Sequence, residues 1–230
     1  GTAATIVALH AVLDLTLAPS ARIHGVLVDV FEVGLLMLGS SGVGKSEIAL
    51  ELVMRGHRLV ADDVVECSFR QPRMVFGAPA QLLRHHLEVR GLGILNIKDL
   101  FGVTSVRDSK RIDVVVQLVE DREVVAEDRL GLEERFCALL GVEIPELSIS
   151  VRPGRDTASI MEIAARRELL KAAGHHPARE FLDGIEGALL GEQPPVPAPD
   201  SRNQASLPPR GPVPRPPESS VGLPFFRKPE

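Results

Sequence analysis

The segment Gly39-Ser40-Ser41-Gly42-Val43-Gly44-Lys45-Ser46 constrains this chain more than any other. It matches G-x-x-x-x-G-K-[ST] in full, a pattern that works only between a strand and a helix. The run before it, Val33-Gly34-Leu35-Leu36-Met37-Leu38, is almost wholly apolar, as expected of a strand covered on both faces. A helix is predicted from about Lys45 to Arg55, with Gly56 as its stop. Gly39, Gly42 and Gly44 let the backbone curl so that its N–H groups point at phosphate oxygens, and the helix N-terminus aims its positive end at the same anion. Lys45 suits the β- and γ-phosphates of a nucleoside triphosphate, and Ser46 suits Mg²⁺. The competing reading, a chance glycine turn before a helix, is disfavoured by the full motif in its proper context. Motif and context together specify a phosphate site but not the phosphoryl acceptor.

The rest of the chain divides into three zones. Residues 1–22 contain a helical pattern around Ile6–Leu13 and read as the remnant of a preceding region. The first residue is Gly rather than Met, and we expect an upstream domain to have been removed. Residues 23–192 read as the catalytic domain. Strands are predicted at Val26–Val30, Arg58–Ala61, Met74–Phe76 and Val114–Val119, and helices over 132–140, 157–172 and 178–190. Residues 193–230 hold twelve of the eighteen prolines, so they are read as a disordered tail without a core of their own.

Composition narrows the function classes. Aromatics are 3% of the chain, with no Trp or Tyr, which leaves little for base stacking. The net charge of −5 argues against general nucleic-acid binding. Cys67 and Cys137 lack zinc or CxxC spacing and read as plain thiols of a reducing cytoplasm. No apolar run approaches the ~20 residues of a membrane span, and no secretory signal opens the chain.

Phosphoryl transfer also needs charge stabilisation and a group that orients or deprotonates the acceptor. Asp62-Asp63 ends the strand after the loop helix, where carboxylates can serve metal and acceptor; read alone, the pair serves equally as a turn or cap. Glu88-Val89-Arg90-Gly91-Leu92-Gly93 sets an acid and a base beside two glycines, which suits a metal-binding loop or an ordinary turn. His24 is a catalytic candidate or a packing residue, and Arg129 a phosphate clamp or half of a surface ion pair. Arg152-Pro153-Gly154-Arg155 presents two guanidiniums on a tight turn, for phosphate, for a partner or for neither.

Taken together, five stretches resemble the bacterial HPr kinase/phosphorylase family over about residues 18–190: Ile23–Val30, Gly39–Glu47, His57–Asp63, Leu87–Asn96 and Val151–Arg155. Leu87-Glu88-Val89-Arg90-Gly91-Leu92-Gly93-Ile94-Leu95-Asn96 is the family's own signature. The resemblance implies an α/β fold of the P-loop kinase type related to phosphoenolpyruvate carboxykinase: a mixed sheet, flanking helices and two C-terminal helices. It implies a cytoplasmic, hexameric, bifunctional enzyme. Such an enzyme phosphorylates a serine of the phosphocarrier HPr with ATP or pyrophosphate, and removes that phosphate with inorganic phosphate to give pyrophosphate. By position, His24, Lys45, Asp62 and Arg129 match catalytic residues, with Asp62 the proton acceptor and donor. Ser46 and Glu88 match metal-associated residues, and Arg152–Arg155 a stretch linked to dephosphorylation. Two positions depart from the family pattern: Glu32 stands where a small residue is expected and Ser40 where an acid is expected. A small-molecule kinase and a catalytically reduced nucleotide-sensing regulator are the alternatives; the Leu87–Asn96 signature stands against the first and the retained His24, Asp62, Glu88 and Arg129 against the second.

Overall fold

The computed structural model describes residues 19–120 and 134–175, with Phe181 and Ile185. All of them lie in one unit, residues 1–185. Among the described residues the elements from Ser20 to Ala172 follow one another as β1 (Ser20–His24), β2 (Val26–Val30), β3 (Val33–Gly39), α1 (Lys45–Met54), β4 (Arg58–Ala61), β5 (Val64–Arg70), β6 (Met74–Pro79), β7 (His86–Val89), β8 (Gly93–Asn96), α2 (Ile97–Phe101), β9 (Lys110–Arg111), β10 (Val114–Glu120), β11 (Arg135–Leu139), β12 (Val142–Val151) and α3 (Thr157–Ala172). Among the described residues no helix is long and apolar enough to cross a membrane.

A six-stranded mixed sheet in the order β11-β12-β10-β3-β2-β4 forms the middle layer. Its side chains alternate between two cores, as the two-residue period of a strand requires. On one face Val28, Leu35, Met37, Val114 and Val116 meet Ile48, Ala49 and Leu52 of α1 and Ala158 and Met161 of α3. On the other, Leu27, Leu36 and Val115 meet Val65, Cys67 and Val75 of the second sheet, β1-β5-β6-β9. Strand β3 is thus covered on both sides, which is why its sequence is apolar without alternation.

The expected strands and the helices at 45–55 and 157–172 are present. The helix expected over 132–140 is not: Arg135–Leu139 is strand β11, paired antiparallel with β12. The turn explains the difference. Leu140 and Gly141 both adopt positive φ (51° and 76°), the two-residue hairpin geometry that turns the chain back on itself. Strand β12 escaped the sequence reading because its buried positions change parity around Pro145, with Ile144 on one side and Ile149 on the other. Strand β1 begins at Ser20, earlier than the boundary expected at residue 23. The helix expected over 178–190 lies outside the described residues except for Phe181 and Ile185, which are helical.

The unexpected Glu32 has a structural account. Phe31 and Glu32 form the tight turn between β2 and β3, both at positive φ (51° and 63°), a conformation that favours glycine. Glu32 instead gathers cations: its carboxylate meets Arg58 and Arg107 at 2.6 Å each and Lys110 at 3.3 Å. The same three cations surround Asp29, which is 2% exposed, and a carboxylate removed from water is costly without such pairing.

Hydrogen bonds from Arg107, then Arg58, hold the Glu32 carboxyl down from its ordinary 4.5 to about 2. A depressed carboxyl stabilises the fold above its unfolded value and ceases to as pH falls through its folded value. The stability difference between the wild type and Glu32→Gln should therefore be full above about pH 4.5 and vanish near pH 2, read by urea titrations across that range. A difference independent of pH would show that the cation cluster does not act through the Glu32 charge. Leu36, fully buried against the second sheet, should cost about 2–5 kcal/mol when replaced by Ala, measured by equilibrium unfolding.

Candidate active site

Several segments meet at one edge of the large sheet. β3, β10 and β12 run parallel, with Gly39 opposite Leu118 and Glu120 opposite Val151, so their C-terminal ends coincide. β2 runs the other way and starts at this edge, Val26 facing Met37; β4 ends here, Ala61 facing Leu27. In sheet order the edge carries Arg152–Arg155 after β12, the loop Gly39–Ser46 after β3, His24 and Gly25 before β2, and Asp62 and Asp63 after β4. Ligands of open α/β sheets bind at this end of the parallel strands. Arg129 lies outside the described residues; β10, which precedes it, also ends at this edge.

The phosphate loop has the conformation its glycines permit, with φ of 145°, 83° and 102° at Gly39, Gly42 and Gly44. Lys45, 7% exposed, donates from Nζ to the carbonyls of Gly39 and Ser40 at 2.9 Å each. An ammonium has three donors, so one remains for a phosphate oxygen. Helix α1 starts at Lys45, with Ile48 N–H bonded to the Gly44 carbonyl at 3.0 Å.

Asp62 is the centre of the arrangement. It is 5% exposed, and one carboxylate oxygen accepts from the Ser46 hydroxyl at 2.9 Å and the other from the Glu88 backbone N–H at 2.9 Å. One carboxylate therefore joins the phosphate loop to strand β7. Burial pushes its pKa above the ordinary carboxylate value, against the pull of the Glu88 N–H, the Ser46 hydroxyl and the Asp63 N–H; the neighbouring Asp63 charge adds to the rise. Each oxygen keeps acceptor capacity after these bonds.

Asp63 behaves differently from its neighbour. It is left-handed (φ 65°), its carbonyl accepts from Gly25 N–H at 3.0 Å, and its carboxylate meets His24 Nδ1 at 3.0 Å. His24 thus enters the site through Asp63, while Asp62 faces Ser46. The residues alone left the two acids equivalent, and the family resemblance singled out Asp62; the left-handed residue turns them in different directions.

On β7, Leu87 and Val89 are buried and Glu88 is exposed, so the strand sets Glu88 and the following Arg90 on the outer side. Arg90 brings its guanidinium to the phosphate loop: a Cβ on Gly42 would lie 3.3 Å from Arg90 Nη2. Sequence reading noted Arg90 only as a base beside glycines; the signal was the Arg-Gly pair at a tight turn. Arg155 is tied to its own strand, donating to the Ser150 carbonyl at 3.1 Å and to the Ser150 hydroxyl, while Arg152, Pro153 and Gly154 are exposed. Among the described residues no cluster of three or more His, Cys, Asp or Glu is placed to hold a metal ion. The side-chain oxygens joined beside the loop are those of Ser46 and Asp62, hard donors of the kind Mg²⁺ takes together with phosphates and water, and the backbone of Glu88 is bonded to the same carboxylate.

Comparison with known proteins agrees with this architecture. Residues 15–185 match the family model of the HPr serine kinase C-terminal domain. The HPr kinase/phosphorylase of Geobacter sulfurreducens is 56% identical over 173 residues, 75% of this chain and 54% of that protein. That of Leptospira biflexa is 50% identical over 182 residues, 78% of this chain and 56% of its own length. The chain thus spans about half the length of these curated relatives. The structure of the HPr(Ser) kinase/phosphatase from Coxiella burnetii superposes with a TM-score of 0.63 at 26% identity, covering 70% of this chain and 98% of that one. The mixed α/β fold is therefore that of a known group, and the chain belongs to the HPr serine kinase family through its C-terminal domain.

Proposed function

We propose that this domain transfers a phosphoryl group from ATP or pyrophosphate to a serine of HPr and, in reverse, moves that phosphate onto inorganic phosphate. The observation that supports it most is Asp62, a buried carboxyl of raised pKa bonded to the phosphate-loop serine. A group that must take a proton in one direction and return it in the other works best when its pKa lies nearer the operating pH than a surface aspartate's. The relatives reported above are named for action on HPr, so the small-molecule and sensor readings are not carried forward.

In the forward direction, Asp62 accepts the proton of the acceptor hydroxyl as that oxygen attacks the terminal phosphorus and ADP departs. In reverse, an oxygen of inorganic phosphate attacks the phosphoserine phosphorus. The serine oxygen leaves with the proton from Asp62, and pyrophosphate forms. Lys45 and the loop N–H groups hold the phosphates, which places attacking and leaving oxygens in line. Ser46, with its hydroxyl hydrogen given to Asp62, keeps its lone pairs for Mg²⁺, and Glu88 is the second acid beside that position. Mg²⁺, when bound, neutralises charge developing on the phosphate oxygens. His24, held by Asp63, and Arg129 complete the proposed catalytic set, and Arg152–Arg155 the segment that serves dephosphorylation. A cytoplasmic location and hexameric assembly belong to the same proposal and rest on the family resemblance.

Incubation with HPr, Mg²⁺ and ATP should yield phosphoserine by intact mass, and excess phosphate should then remove it with release of pyrophosphate. Absence of phosphoserine would sink the reading, and formation without phosphate-dependent loss would leave only its kinase half. Asp62→Asn keeps the shape of the carboxyl and should slow both directions by at least about 10²-fold while ATP still binds. Turnover close to wild type in that variant would move the proton role to another group, Asp63 first.

A further inference from the structure

Arg90 is a basic side chain at the phosphate loop to which no role has yet been given. It occupies the second position of a tight turn, Val89–Leu92, closed by the Leu92 N–H to the Val89 carbonyl at 3.0 Å. Gly91 supplies the positive φ (85°) at the third position, so the reversal falls directly after Arg90. Below it, β7 is anchored from two sides: Leu87 and Val89 are buried in the core shared with α1, and the Glu88 N–H is bonded to Asp62, which is itself bonded to Ser46. The base of the hairpin is thus tied to the beginning of α1, and its tip is carried to Gly42. The absence of a side chain at Gly42 leaves room for the guanidinium, since a Cβ there would already sit at 3.3 Å from Nη2.

The electrostatic setting is equally specific. Arg90 is exposed and forms no ion pair or hydrogen bond with any described residue. This distinguishes it from Arg55, Arg58 and Arg107, which are neutralised by carboxylates. A guanidinium beside Gly42, without an acidic partner among the described residues, is placed to meet an anion seated on the glycine loop. Its planar fork matches two oxygens of one phosphate, which the point charge of Lys45 cannot do.

Building on the function proposed above, we propose that Arg90 is a phosphate-binding residue. In this role it clamps the phosphate group held over Gly42 in ATP, pyrophosphate and inorganic phosphate alike. Glu88, on β7, and Arg90, in the turn that follows, stand on the same hairpin.

Titration calorimetry with pyrophosphate and Mg²⁺, and separately with a non-hydrolysable ATP analogue, tests the assignment without reference to HPr. Arg90→Gln should weaken both ligands by about tenfold or more, the loss expected of a charge-assisted hydrogen bond. Arg90→Lys should recover part of that loss, since it keeps the charge but not the fork. Affinities within about twofold of wild type in Arg90→Gln would overturn the proposal. Because Arg90→Gln can disturb the hairpin, a second measurement uses the wild-type chain. The Arg90 Nε–Hε NMR resonance, assigned by its absence from Arg90→Lys, should shift on saturation with pyrophosphate, and a resonance that does not move overturns the proposal. Wild-type protein that binds pyrophosphate through Arg90 yet forms no phosphoserine on HPr would keep this assignment and remove the function on which it builds.

Discussion

The register of strands around β3 governs where every chemical group of this domain stands. A slip of one residue would exchange the two faces of the strand, sending Leu35 toward the second sheet and Leu36 toward the helices. Both faces are packed, so neither exchange is tolerable. The same register brings Gly39 level with Leu118 and places Val26 and Ala61 beside the end of β3. The phosphate loop and Asp62 are therefore neighbours because apolar side chains deep in two cores allow no other alignment.

Asp62 converts that alignment into a site. Its burial costs solvation, and two hydrogen bonds and the Asp63 N–H offset part of that cost without cancelling it, so the carboxyl holds its proton more tightly than a surface aspartate. The bonds also have a mechanical effect. Ser46 belongs to the first turn of α1 and Glu88 to β7, which are far apart in sequence and joined here by one side chain. The hairpin tip that carries Arg90 is fixed relative to the loop through this link. The opposite end of β2 and β3 uses charge differently: Asp29 and Glu32 share Arg58, Arg107 and Lys110 in a cluster that holds a turn made of two left-handed residues.

Much of the fold was legible where a local pattern coincides with a strong physical requirement. The apolar run of β3, the glycine loop and the following helix state their own structure, because double burial, positive φ and a helix N-terminus each demand particular residues. The β11–β12 hairpin was not legible. Arg135–Leu139 has a composition that a helix accepts as readily as a strand, and only pairing along β12 decides the matter. Strand β12 itself hides behind a parity change at Pro145.

The same division runs through the site. By itself the sequence specified a loop of the phosphate-binding pattern at Gly39–Ser46, since its glycines, lysine and serine stand in the order that such a loop requires. It also supplied the acids and bases that surround the loop. Only the tertiary structure decided which partners the two adjacent acids meet. Asp62 and Asp63 are adjacent and chemically identical, yet one turns to Ser46 and Glu88 while the other turns to His24 and Gly25. That choice depends on the left-handed backbone at Asp63 and on the packing of β4 against β2, and neither is written in the identity of the two residues.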